Sequence, residues 1–376
     1  MAVTVEEAAS SKASAVEVEG WVHRVGRLVD RSSGLLKWLA DRESAALRAR
    51  LDEVSIRAPI YVTGLARSGS TILLELLAEH PALATHRYRD FPVVLAPWSW
   101  NWFLDRAASR DADPRERAHG DGIAVTPESP EGFEEVIWMA FFERLHDSNK
   151  NAVLDGGTEA PGFERFYRDH IRKLLLLRGG ERYLAKNNYD VTRLGYLLKL
   201  FPDARFLIPI RDPVWHIASL MKQHRLFVEA EERDPRVLEH MARSGHFEFG
   251  LNRRVINTGD DAAAAIVEDL WKSEKEVEGW ARYWALIYGH VADTLQRVPE
   301  IDAAAKIVRY EDLCAEPLDT MRAMLDHCGL ARSDLPERTA RRVSPPGYYR
   351  PSFTPSEEAL IRDVTGAVAR RFGYDF

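Results

Sequence analysis

The stretch YVTGLARSGSTILLELLAEHP, from Tyr61 to Pro81, decides the fold. An apolar run ends at Gly64 and a loop of small and polar residues follows. From Ser70 onward, leucines recur at helical spacing until Pro81. The order strand, loop, helix is that of a phosphate-binding turn. A Walker A loop reads G-x-x-x-x-G-K-[ST], and its lysine reaches the terminal phosphates. Gly64 and Gly69 keep that spacing, but Ser70 occupies the lysine slot and Thr71 follows it; the cation comes earlier, at Arg67.

Elementary chemistry still makes this loop an anion site. A helix N-terminus presents backbone N–H groups and a partial positive charge. Gly64 and Gly69 let the backbone turn sharply and approach an anion closely. Ser68, Ser70 and Thr71 add hydroxyls, and Arg67 adds a planar fork of donors. An isolated G-x-x-x-x-G is often only a turn; Arg-Ser-Gly-Ser-Thr between a strand and a helix favours anion binding. A second strand–turn–helix follows in FLIPIRDPVWHIASLMKQH, beginning at Phe206. Arg211 ends the strand, and Pro213 suits the first helical turn, where its missing N–H does no harm. Ser219 lies eight residues after Arg211, on the following helix. An arginine at a strand end and a serine on a nearby helix face can grip one phosphate from two sides.

The rest of the chain fits one α/β domain. It has 376 residues, 45% of them hydrophobic, enough for a sizeable core. The net charge is −7 without a strongly basic block, which argues against a general nucleic-acid binder. Two cysteines, Cys314 and Cys328, lack metal-site spacing and give no disulfide framework. The opening MAVTVEEAASSKASAVEVEG has neither an apolar core nor a cationic start, so no signal peptide is expected. No run of about 18 apolar residues predicts a membrane span, and a reducing cytoplasm is the expected location. Residues 1–54 read as a helical extension, with helical spacing from Trp21 to about Val54. Strands are predicted at APIYVTG, RYLAK, ARFLIPI and AKIVRYEDL, the last taken with its exit loop, and helices at FEEVIWMAFFERL, FERFYRDHIRKLLLLRG and LDTMRAMLDHCGL. WKSEKEVEGWARYWALIYGHVADTLQRV predicts one long helix or two, and a capped helix begins near Pro355. Residues 227–262, charged and poor in apolar residues, read as a lid or insertion. Short apolar strands alternating with helices predict a parallel sheet flanked by helices.

The two loops together resemble the sulfotransferases that use 3′-phosphoadenosine 5′-phosphosulfate (PAPS). ARSGST is similar to their 5′-phosphosulfate loop, in which Lys or Arg precedes Ser-Gly-[ST]-Thr. RDPVWHIAS is similar to their 3′-phosphate motif, and FPDARFLIPIRDP and VRYEDL are phrases typical of the superfamily. The resemblance runs from about Ala58 to Leu330. It implies a P-loop-NTPase-like sulfotransferase fold with helical insertions, PAPS as sulfonate donor, and a small-molecule hydroxyl acceptor. It implies that Arg67, Ser68, Gly69, Ser70 and Thr71 hold the 5′-phosphosulfate, and that Arg211 and Ser219 hold the 3′-phosphate. It also accounts for the missing lysine. A nucleoside triphosphate needs lysine and Mg²⁺ at its terminal phosphates, whereas a transferred sulfonate carries less charge, so no metal is expected and Arg67 can serve the bridging oxygen.

The general base is less legible. In many sulfotransferases it is a histidine shortly after a lysine, upstream of the 3′-phosphate motif. The matching stretch, YLAKNNYDVTRL, supplies Lys186, expected near the transferring group, but Asn187, Asn188 and Asp190 stand where the histidine would be. Other members carry a carboxylate base after the first helix, where THRYRDFPVV offers Asp90 and His86. Asp90 is the expected base, His86 the second choice and Asp190 the third. Trp98, Trp100 and Trp102 are candidates to wall an acceptor pocket or stack on adenine, and Arg350 to reach the 3′-phosphate. His216 and His224 show no metal-ligand pattern and read as structural. The competing functions are a P-loop kinase with a displaced lysine, and a nucleotide-binding protein that kept the fold and lost the base.

Overall fold

The computed structural model describes residue 26 and residues 33–107, 115–116, 124–344 and 350–375. Its centre is a five-stranded sheet of β1 (Ile60–Val62), β2 (Leu83–Ala84), β5 (Arg182–Lys186), β6 (Arg205–Ile210) and β7 (Ala305–Arg309), in the order β2-β5-β1-β6-β7. Every pairing in it is parallel. A separate antiparallel pair, β3 (Arg115–Glu116) and β4 (Ala124–Val125), lies in the stretch read as a polar loop.

The strands are short and mostly apolar, and successive residues serve opposite layers. Ile60, Val62, Leu184 and Leu207 join one apolar layer with Leu73, Leu77, Met321 and Leu325. Tyr61, Tyr183, Phe206 and Ile208 join the other layer, with Phe163, Tyr167, Trp284 and Tyr288. The first layer is closed by α1 (Ser70–Leu77) and the helix Pro317–Cys328. The second is closed by α2 (Pro161–Arg178) and α4 (Glu276–Arg297), with α3 (Pro213–Arg233) following β6. β1 is central, so its exit loop opens where chain segments leave toward both sheet edges, the usual ligand position in open α/β sheets.

The predicted strands and most helices fall where their periodicity places them. The 261–297 segment is two helices, Asp261–Lys272 and Glu276–Arg297, parted at Ser273–Lys275 with Glu274 in the left-handed region at φ 60°. Thr354 caps the helix Pro355–Arg370 through a reciprocal bond with Glu357, as its sequence suggests. The N-terminal helical reading appears as Ser33–Ala46 and Arg48–Asp52; apart from Gly26, its part before residue 33 lies outside the described residues. The 227–262 segment differs from the expected lid. α3 continues through it to Arg233, Pro235–Arg243 forms another helix, and Phe247, Phe249, Val255 and Ile256 are buried. It is part of the packed body, and two of its acids, Glu231 and Glu248, are buried with it.

Candidate donor site

The loop after β1 is held in a demanding conformation. A side chain on Gly64 would come within 2.7 Å of the Pro209 carbonyl oxygen in β6, so only glycine lets the strands approach this closely. Gly69 has φ 104°, and Arg67, not a glycine, has φ 68°. A non-glycine residue persists there only when its surroundings hold it. Those surroundings include His216. Trp284 donates its indole N–H to His216 Nδ1 at 3.2 Å, so the proton of the imidazole lies on Nε2, which donates to the Ala66 carbonyl at 2.8 Å. Burial, reinforced by Arg211 and Arg67, pushes the His216 pKa down to about 3 against the pull of that carbonyl. The neutral ring therefore braces the backbone one residue before Arg67. Ser70 donates to Asn188 Oδ1 at 3.3 Å, and Asn188 donates to Glu248 at 2.7 Å. Among the described residues no side chain caps the N-terminus of α1, so its first-turn N–H groups face the loop.

The second loop opens at the same edge, because β1 and β6 run parallel with Val62 beside Leu207. The two motifs meet there: Arg67 Nε donates to Ser219 Oγ at 3.4 Å, across 152 residues of sequence. Arg211 is largely buried, its guanidinium 4.8 Å from the centroid of the Tyr310 ring. Asp212 caps α3 by accepting the Trp215 N–H at 3.1 Å. Ser68 and Ser70 are buried in the first loop, and Thr71 is half-buried.

Lys186 ends β5 beside Val62, at the same edge again. It lies near Glu248, whose carboxyl stays at about 2 because His246, Lys186 and Asn188 outweigh the cost of its burial. Gly132 packs directly on Lys186: a side chain there would fall 2.7 Å from Lys186 Cδ and 2.6 Å from its carbonyl oxygen. Glu131, half-buried, is the residue before Gly132, and its Oε1 accepts the Gly132 N–H at 2.7 Å. The sequence reading passed over this glutamate because it lies in a polar turn without a motif.

The three expected bases are placed otherwise. Asp90 is fully buried, and four donors converge on it: His86 Nδ1 at 3.2 Å, the Arg87 N–H at 2.9 Å, Asn101 at 2.8 Å and Arg178 at 2.5 Å. Burial alone would favour the neutral acid, but His86, Arg178 and Asn101 win and hold it well below the usual carboxylate range. These four contacts are internal and tie down the loop after β2, a setting that does not favour the base role expected of Asp90. His86 is also buried, its Nε2 3.1 Å from His170 Nε2 and its ring stacked on that histidine. Asp190 is buried beside Glu134 and Glu135. Burial and these two acids, opposed by Arg193, raise it well above the usual carboxylate range.

Trp98 lies against Arg50 at 4.7 Å, Trp100 donates to the Arg89 carbonyl at 2.9 Å, and Trp102 lies exposed against Arg106. Their contacts belong to the helical shell around residues 48–107, not to the two loops. Arg350 is exposed. Among the described residues no group of three or more His, Cys, Asp or Glu side chains is arranged to hold a metal, and no helix is long and apolar enough to cross a membrane.

A parallel sheet with two strand–turn–helix loops meeting at the C-terminal ends of its strands is a P-loop-like α/β fold. Its family is the sulfotransferases, to which the chain belongs: the sulfotransferase family profile matches residues 59–246. The chain is 21% identical over 347 residues to the "Omega-hydroxy-beta-dihydromenaquinone-9 sulfotransferase Stf3" of Mycobacterium bovis, covering 84% of this chain and 75% of that one. The same-named protein of Mycobacterium tuberculosis matches equally. In fold it is similar to the sulfotransferase STF9 of Mycobacterium avium, with TM-score 0.52, 14% identity, and 98% and 96% of the two chains covered.

Proposed function

We propose that this protein transfers a sulfonate group from PAPS to a hydroxyl of a small-molecule acceptor and releases 3′,5′-adenosine bisphosphate. The observation that carries the reading is the meeting of Arg67 with Ser219 at 3.4 Å, which supports reading the two loops as one anion site. The α1 N-terminus with Arg67, Ser68, Gly69, Ser70 and Thr71 receives the 5′-phosphosulfate, and Arg211 with Ser219 receives the 3′-phosphate. In the transfer, the acceptor oxygen bonds to sulfur and the bond from sulfur to the bridging oxygen breaks, leaving its electron pair on the phosphate. Arg67 and Lys186 offset the charge that develops there. A hydroxyl acceptor suits the relative whose name specifies an omega-hydroxy dihydromenaquinone. Cys314 and Cys328 are unpaired, as suits a reducing cytoplasm.

Glu131 takes the acceptor's proton in this reading, because it precedes Gly132, whose backbone packs against Lys186, and its carboxylate is only half-buried. The experiment is sulfonate transfer from PAPS to a hydroxyl acceptor found by mass gain in a metabolite extract, run in excess EDTA. Turnover should survive chelation, and Glu131→Gln should lower kcat roughly 100-fold or more, the scale of general-base catalysis. Activity that vanishes with EDTA and returns with Mg²⁺ would favour the kinase reading. A fully active Glu131→Gln would remove the glutamate from the mechanism.

A further inference from the structure

The 227–262 segment, built into the body of the molecule, sends one carboxylate toward the first loop. Glu248 is buried, and it lies just beyond the stretch that the family profile matches, which ends at residue 246. The backbone beside it is tied down. The Phe247 N–H donates to the Tyr189 hydroxyl at 3.0 Å, and the Phe247 carbonyl accepts the Arg254 N–H at 2.8 Å. From Glu248 a line of hydrogen bonds runs to the start of α1. Asn188 Nδ2 donates to Glu248 Oε1 at 2.7 Å, and the Ser70 hydroxyl donates to Asn188 Oδ1 at 3.3 Å. All three residues are buried.

The direction of this line is set at its far end. His246 Nδ1 lies 3.4 Å from Glu248 Oε2. Against the cost of burial, His246, Lys186 and Asn188 hold the Glu248 carboxyl ionised, at about 2. An ionised carboxylate only accepts hydrogen bonds. Asn188 therefore turns its amide N–H to Glu248 and its oxygen to Ser70, and a serine that faces an oxygen has to donate. The Ser70 proton is thereby committed away from the anion loop.

We propose that Glu248 is a positioning residue for the 5′ loop: through Asn188 it fixes the Ser70 hydroxyl, and so holds the first turn of α1 with its N–H groups toward the donor's 5′ end. The inference rests on the PAPS reading above. Ser70 then meets the anion through its backbone N–H, and its hydroxyl serves the turn. A residue that merely packs weakens the fold and every ligand alike. One that sets this line acts on the 5′ end of the donor and spares the 3′-phosphate. Its work can also be done by any pair of groups that keeps the direction of the bonds.

Affinities for 5′-AMP and 3′-AMP test this in the wild type, Asn188→Asp and the double variant Asn188→Asp/Glu248→Gln. Asn188→Asp sets two carboxylates face to face. It should weaken 5′-AMP about tenfold or more, the scale of a lost hydrogen bond to a charged group, and leave 3′-AMP within about threefold. In the double variant the two groups are exchanged. The new carboxylate accepts from the Ser70 hydroxyl and from the introduced amide, so the line keeps its direction. Affinity for 5′-AMP should return to within about threefold of wild type, because the second change repairs the first. The negative charge at position 188 is still present, so the recovery does not come from relieving repulsion of the phosphate. Should Asn188→Asp fail to fold, Ser70→Ala, Asn188→Ala and their combination decide. The combination should cost 5′-AMP no more than the larger single change, because both remove one interaction. Wild-type 5′-AMP affinity in Asn188→Asp, equal losses for the two monophosphates, a double variant no better than Asn188→Asp, or additive losses in the alanine pair overturn the inference and leave the donor reading standing. A wild type that binds neither monophosphate better than adenosine overturns the donor reading, and this inference with it.

Discussion

The two strand–turn–helix units at the centre of the molecule look alike in sequence and differ in how their helices begin. α1 begins at Gly69, with a left-handed backbone before it and no side-chain cap among the described residues. α3 begins at Asp212, whose carboxylate accepts the Trp215 N–H at 3.1 Å. The first helix keeps its N–H groups for an incoming anion. The second satisfies its own start, places a negative charge there, and offers only side chains, Arg211 before the turn and Ser219 two turns along. On the proposed reading, the first loop therefore binds with its backbone as well as Arg67 and its hydroxyls, and the second with side chains alone.

This difference sets a ranking of effects. Arg67→Ala should be the most damaging to activity, lowering kcat by about 100- to 1000-fold, the usual loss when one charge-stabilising donor is removed; steady-state kinetics at saturating donor checks it. A loss below tenfold would mean that the first loop acts through its backbone alone. Asp90→Asn comes next, and its effect falls on the fold. It leaves Arg178 and His86 without their buried anion, and breaking a buried pair in this way costs about 3–5 kcal/mol. Chemical denaturation should show that loss, while enzyme that remains folded turns over within about tenfold of wild type. A stable Asp90→Asn protein with abolished turnover would restore Asp90 as the base. Asp212→Ala is the mildest. Losing a helix cap costs about 1 kcal/mol, and donor affinity should stay within about threefold, because this helix end does not hold the anion. A large loss of donor affinity would erase the distinction between the units.

The same contrast separates what the sequence reveals from what it conceals. RYLAK and ARFLIPI are readable as buried strands because apolar runs stop abruptly at a charged residue. The two loops are readable because glycines, hydroxyls and an arginine sit together within a few residues. β2 is only Leu83–Ala84, too short for any period to register. The 227–262 segment reads as a solvated lid because Phe247, Phe249, Val255 and Ile256 are buried from irregular backbone, where no period marks an inner face. Asp90 reads as a base because its shortest contact, from Arg178 at 2.5 Å, comes from 88 residues away, and no motif announces that its lone pairs are taken. Tyr310, Asn188, Glu131 and the bracing His216 owe their places to strand order and packing. Tyr310 meets Arg211 only because β7 lies beside β6.

The central claim is that the two loops hold one nucleotide, the first by its 5′ end and the second by its 3′-phosphate. Thermal denaturation with matched concentrations of 3′,5′-adenosine bisphosphate and 5′-AMP tests it most directly, since a ligand of the native state raises Tm by mass action. The bisphosphate should raise Tm clearly more than 5′-AMP does, and Arg211→Ala should remove the difference while leaving the 5′-AMP shift in place. Equal shifts from the two nucleotides in the wild type, or a difference that survives Arg211→Ala, would contradict the account.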